Sequence, residues 1–275
     1  MNLQHIINEI EKVDPEVYEK VDTRREAMKG FAKVSGRIAL AALPFALGSM
    51  FQKAYGQGGT AQITDTLNFA LTLEYIEANF YIKGVATPNL IPTAPATGAL
   101  TTIRDHESAH VNFLRTAIMS LGGTPVTFTA DDFDFTAHGA FADVFSNYDT
   151  FLAVAQTFED TGVRAYKGQA GNLMSNNDVL TAALNIHSVE ARHASHIRQM
   201  RKARGADVKP WITGKNSGIG AAVQASYDGE DETMQAGVNI VNIGGQTISA
   251  SAATEAFDEP LTKEQVTAIV TPFFA

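Results

Sequence analysis

The sequence predicts an all-α protein. Its centre is a four-helix bundle with one long crossover, extended by N-terminal helical residues and an irregular C-terminal appendage. Three observations carry that expectation. Helical periodicity runs from Ala61 to Gly205. Turn and breaker residues cut this stretch into four segments joined by two short links and one long middle link. The few glutamates of the stretch also recur in the same order in each half.

Composition limits the alternatives. The chain has 275 residues, 45% of them apolar and 19% charged, which is enough for a packed core. A net charge of −9 argues against nucleic acid as a partner. There is no cysteine, so disulfides, thiolate metal sites and cysteine nucleophiles are excluded. Histidine and carboxylate are left as the strong metal ligands.

Residues 1–58 form the N-terminal extension. A small apolar stripe (Leu3, Ile6, Ile7, Ile10) opens it. Residues 23–29 read Thr-Arg-Arg-Glu-Ala-Met-Lys; an apolar run follows from Ile38 to Phe51, then a small and polar stretch from Ala54 to Gly59. That order is the layout of an export signal. The pair Arg24-Arg25 resembles a twin-arginine signal, which serves proteins that fold, often around a metal, before crossing the membrane. The expected location is therefore periplasmic or exported, with the cytoplasm as the alternative if the segment is only an amphipathic helix. The apolar run is short for a spanning helix, so membrane involvement is expected as translocation or anchoring.

Residues 59–206 form the bundle. The first helix is expected over 61–83, with apolar Leu67, Ala70, Leu71 and Ala78, and it stops at Gly84 and Pro88. Pro92 and Pro95 fall in the connector. The second helix covers 97–121 and ends at Gly122-Gly123. The long link holds Pro125 and the acidic-aromatic run from Asp131 to Phe135. The third helix covers 147–173. The fourth starts after the cap candidates Ser175, Asn176 and Asn177 and ends near Gly205. Residues 207–275 form the appendage. Val238 to Ile243 reads as a short strand, Phe257 to Thr262 as a turn and cap, and Lys263 to Val270 as a last helix.

The chemistry lies in the glutamates. Between Glu26 and Glu230 stand only Glu74, Glu77, Glu107, Glu159 and Glu190. The first helix carries Glu74 with Tyr81 seven residues on. The second carries Glu107 with His110 three residues on. The third repeats the first with Glu159 and Tyr166, and the fourth repeats the second with Glu190 and His193. Three residues apart on a helix places Glu and His on one face, and seven is close to two turns. Glutamate inside an apolar bundle is costly unless paired or metal-bound. Arg104, Arg164 and Arg192 are the nearest basic residues in sequence. The expected metal ligands are therefore Glu74, Glu107, His110, Glu159, Glu190 and His193, with Glu107 and Glu190 bridging two divalent ions. Glu77 is the rival to Glu74; the matched spacing of Glu159 and Tyr166 favours Glu74. Tyr81 and Tyr166 are the candidate catalytic residues, placed to hydrogen-bond ligating carboxylates across the bundle, with plain packing as the alternative. His106 and Asp160 point about 100° from their neighbouring glutamates and are expected to be structural. His187 and His196 flank the last motif, His138 sits in the crossover, and Trp211 is expected to anchor packing.

On these residues, 61–205 resemble the ferritin-like superfamily of di-iron and di-manganese carboxylate proteins. The strings Leu-Asn-Phe-Ala-Leu-Thr-Leu-Glu-Tyr-Ile-Glu-Ala-Asn-Phe-Tyr (67–81) and Glu-Ala-Arg-His-Ala (190–194) are most similar to the bacterial ferritin-like domain family that includes plant desiccation-related proteins. Many relatives place Asp directly before the Glu-x-x-His glutamate, where it holds the opposite histidine. Here those positions are His106 and Val189. The resemblance implies a pair of iron or manganese ions and an oxidoreductase acting on dioxygen or peroxide in stress protection. Metal storage, or a structural desiccation-stress role without turnover, is the alternative. The long extensions fit a large shell poorly, which leaves a monomer or homodimer.

Overall fold

A computed structural model of the protein describes residues 59–275. The N-terminal extension, with the export signal expected there, lies outside the described residues. Among the described residues no helix is long and apolar enough to cross a membrane.

Four long helices form the bundle: α1 (Thr60–Ala86), α2 (Ala94–Ser120), α3 (Tyr148–Gln169) and α4 (Asn177–Ala203). Their ends follow from local chemistry. Thr87 is extended because Pro88 follows it, and α1 stops there. The Thr93 side chain caps α2, and Pro95 falls within its first turn rather than in the connector. Asn147 and Asn176 cap α3 and α4 by accepting backbone N–H bonds. The expected third helix continued to residue 173; its last four residues, Ala170–Leu173, instead tighten into a 3₁₀ turn.

The helices pair as α1 with α2 and α3 with α4. Helices α1 and α3 are buried around most of their circumference, whereas α2 and α4 bury one side. The first two are thus the inner helices, and their all-round apolar character follows from being covered on every side. The crossover between α2 and α3 supplies part of that cover. Its Phe135 and Phe145 pack on Phe80 of α1, which stacks on Phe151 of α3 with ring centres 4.6 Å apart. The acidic neighbours do local work: Asp134 accepts from the backbone of Thr136 and His138 and holds the turn.

The appendage supplies the rest. Its strand is shorter than expected. β1 (Met234–Gln235) and β2 (Val238–Asn239) form a small antiparallel hairpin. Ala236 (φ 50°) and Gly237 (φ 81°) make the turn, and both left-handed values suit a tight hairpin. Two short helices follow, α5 (Ala250–Thr254) and α6 (Lys263–Val270); a Thr262/Gln265 capping box starts α6. The appendage is pinned to α3 by buried polar contacts. Arg164 donates to the carbonyls of Ser226, Asp228 and Glu259 and pairs with Glu230 at 2.7 Å. Asp160 pairs with Arg198 of α4 and accepts from Tyr227. At Gly168 the chain passes so close that a Cβ would lie 1.9 Å from the Leu261 carbonyl oxygen. Trp211 is half-exposed, at 52%, rather than a packing anchor.

Candidate metal centre

All six predicted ligands converge between the four helices. Glu74 comes from α1, Glu107 and His110 from α2, Glu159 from α3, Glu190 and His193 from α4. Glu74, Glu107, Glu159 and Glu190 are each 0% exposed. They fall into two groups that share members: Glu74, Glu107, His110 and Glu190 form one, and Glu107, Glu159, Glu190 and His193 form the other. In each group one oxygen or nitrogen per residue lies within 4.8 Å of all the others. Glu107 and Glu190 are common to both.

Glu107 lies between the two histidines. Its Oε2 lies 3.1 Å from Nδ1 of His110, and its Oε1 lies 2.8 Å from Nδ1 of His193. The two oxygens of one carboxylate thus face two histidines from different helices. Nδ1 of His110 also lies 3.1 Å from Glu74 and 3.3 Å from Glu190. One ring nitrogen carries at most one proton, so it cannot serve three carboxylates as a hydrogen-bond donor.

The residues therefore fit a cationic guest. Glu107 Oε1, Glu159 Oε2, both oxygens of Glu190 and Nδ1 of His193 are buried without a hydrogen-bond partner. His193 is near Glu107 and Glu159 in distance but lacks the alignment for a hydrogen bond. Orphaned acceptors of this kind are costly in a dry interior. Among the described residues no Lys or Arg side chain pairs with them. Arg104 pairs with Asp105, Arg164 with Glu230, and Arg192 is exposed.

The protonation pattern expresses the same stress. Burial raises Glu74 to about 7 and Glu159 above its usual range. Burial, then the charges of neighbouring carboxylates, push Glu190 and Glu77 well up. Burial alone would lower the histidines, yet the carboxylates around them win: His193 is pushed up to about 11 and His110 is raised. Burial opposes charge on Glu107 as well, but His110 and His193 together hold it down at about 2. The pocket is an acid store in want of positive charge.

The two tyrosines reach across rather than along the bundle. Tyr81 of α1 donates to Glu159 of α3, and Tyr166 of α3 donates to Glu74 of α1. Each therefore holds a buried carboxylate of the opposite half. Burial keeps both phenols protonated by raising them well above their usual range.

One neighbour of the cluster differs from expectation. His106 is not merely structural: its Nδ1 lies 2.9 Å from Nε2 of His193. It stands on the outer side of the opposite histidine, where the resemblance leads one to expect Asp. A direction 100° from Glu107 points it at α4, which a single-helix argument does not see. Val189 has no polar group to serve His110 in the same way. Glu77 is also buried, at 3% exposure, but belongs to neither group. Asp160 is engaged by Arg198, His187 is half-buried apart from the groups, and His196 is exposed.

The sequence profile of the ferritin-like domain family matches residues 62–203, which is α1 through α4 and the crossover. The chain belongs to the ferritin-like domain family. No curated protein matches it. In this ferritin-like bundle the family match fixes the fold and the convergent carboxylate-histidine core gives the chemistry that fits it; the likeness to desiccation-related proteins rests on the two short strings alone.

Proposed function

We propose that the protein holds two divalent ions, iron or manganese, and acts as an oxidoreductase on dioxygen or peroxide in stress protection. The observation that carries this reading is Glu107, whose two oxygens face His110 and His193 separately. Glu74, Glu107, His110 and Glu190 would hold one ion; Glu107, Glu159, Glu190 and His193 would hold the other. Four carboxylates balance two divalent cations, and a shell rich in oxygen with two imidazoles suits iron or manganese. The ions supply redox chemistry toward oxygen species when bound.

The chain's own residues do the remaining work. Tyr81 and Tyr166 fix the orientation of Glu159 and Glu74 and leave each only one oxygen free of a tyrosine. His106 orients the His193 ring through its outer nitrogen. Burial of all four carboxylates excludes bulk water, which strengthens their hold on positive charge. Export is supported by the sequence alone, through Arg24, Arg25 and the apolar run behind them.

Elemental analysis of the purified protein, combined with a peroxide-turnover assay, tests the reading. Two iron or manganese ions per chain with turnover are expected. Metal whose removal costs stability, with no turnover in its presence, would instead make it a structural staple. Replacing His110 or Glu190 by Ala should abolish metal binding and leave the helices in place. Full metal occupancy in either variant contradicts the ligand set.

A further inference from the structure

The inner helices enclose a small cavity of about 10 Å³, lined by Leu73, Ile76, Glu77, Phe158, Gly162 and Val270 among others. That volume admits about one water-sized molecule. On the outside, a groove of about 450 Å³ lies where α1 meets α6 and the chain end, with Phe69, Lys263 and Phe274 in its walls. Leu73 and Val270 line both spaces. They are only 5% and 6% exposed, so they form the partition between groove and cavity.

The inner end of the cavity touches the candidate metal centre. A Cβ at Gly162 would lie 3.1 Å from Oε2 of Glu190 and 3.3 Å from Oε1 of Glu77. Glycine at this position thus keeps open a gap between the cavity and a carboxylate that both ligand groups share. Glu77 stands at that gap. It is buried, at 3% exposure, and lines the cavity. A buried carboxyl facing a cavity has a use for a small polar guest.

We propose that dioxygen or hydrogen peroxide reaches the centre from this face, passing Leu73 and Val270 into the cavity, and meets Glu77 beside Glu190. The inference rests on reading the cluster as a metal centre. Apolar walls admit a small uncharged molecule at little cost and reject a hydrated ion. The opposite face, where His106 is exposed and His110 partly so, is polar and suits entry of the metals themselves. Val270 belongs to α6, so the appendage builds half of the mouth. Leu73 and Val270 are the side chains that stand between the two spaces, and rotamer changes of such residues are fast motions.

Dissolved dioxygen broadens the NMR signals of methyl groups it visits, with or without metal. The full-length protein, metal-free and zinc-loaded, should show stronger broadening at Leu73, Ile76 and Val270 than at Leu100 and Leu114, with Ile76, at 1% exposure, the matched comparison to Leu114, also at 1%. Val270→Phe should remove that excess and slow oxidation of the iron-loaded protein by dioxygen at least tenfold. If Val270→Phe does not fold, Gly162→Ala narrows the inner end and should slow the same oxidation, with metal content unchanged. Broadening at the three methyls no greater than at Leu100 and Leu114 overturns the route, as does unchanged oxidation in a folded variant. Absence of bound zinc or iron would instead sink the metal reading, and the broadening would still report the passage on its own.

Discussion

Tyr81 donates a 2.5 Å hydrogen bond to Oε1 of Glu159, a residue on the opposite inner helix. Tyr166 returns the same service to Glu74. The two halves of the bundle therefore hold each other's buried carboxylates, and each of the two residue groups draws on both halves. Replacing Tyr81 by Phe keeps the ring packing and removes the donor. Metal affinity is expected to fall about 10- to 100-fold, the usual effect of losing an outer partner of a ligand. Titration with manganese, with circular dichroism unchanged, checks this. Unaltered affinity would reduce the tyrosine to packing.

His106 predicts an asymmetry between the two sites. It backs His193, whereas His110 has Val189 at the corresponding place on the other half. His106→Ala should weaken one of two metal-binding steps by about 10-fold or more and leave the other nearly unchanged. Isothermal titration separates the steps. Equal weakening of both would show that His106 acts on the fold rather than on His193.

The protonation pattern fixes how stability responds to pH. Burial raises Glu74 from 4.5 to about 7, so the folded state binds more protons than the unfolded one. Its contribution is complete below about 4.5 and is lost as pH climbs through about 7. His193, raised from 6.5 to about 11, has the same sign over a higher range. Glu107, held at about 2, has the opposite sign and matters only as pH falls below its ordinary 4.5. Between pH 6 and pH 9 the metal-free protein should therefore lose stability. Metal binding, which replaces these protons, should tighten over the same interval. The difference in Tm between metal-loaded and chelator-treated protein is expected to widen from pH 6 to pH 9. A narrowing gap contradicts the assignment.

Arg164 ties the appendage to α3. Arg164→Met keeps the bulk, strips three carbonyls of their donor and leaves Glu230 buried without its partner. Removing one member of such a pair costs about 3–5 kcal/mol. Hydrogen exchange should accelerate first around Ser226–Glu230 and Glu259–Leu261, with α1 and α2 still protected. Uniform acceleration across the bundle would mean that the appendage and bundle unfold as one unit.

The convergence of the six side chains was legible because glutamates are scarce in these helices and two motifs repeat in order, and a helix fixes which face a residue shares with its third and seventh neighbours. The same single-helix geometry has a blind side. It places His106 away from Glu107 but does not say that α4 stands there with His193. It separates Glu74 from Glu77 as rivals, although the inner position of α1 buries both. The appendage was legible at Thr262 to Val270, where a cap and a helix are local features. It was not legible at Arg164, whose partners lie on residues far along the chain, nor at Trp211, where size suggested burial and the local chain path leaves the ring half-exposed.

Anomalous diffraction from crystals of the protein grown with manganese tests the shared-carboxylate centre most directly. Two peaks about 3.5–4 Å apart, enclosed by Glu74, Glu107, His110, Glu159, Glu190 and His193, are the expected result. A lone peak outside that enclosure, or none within it, would contradict the account.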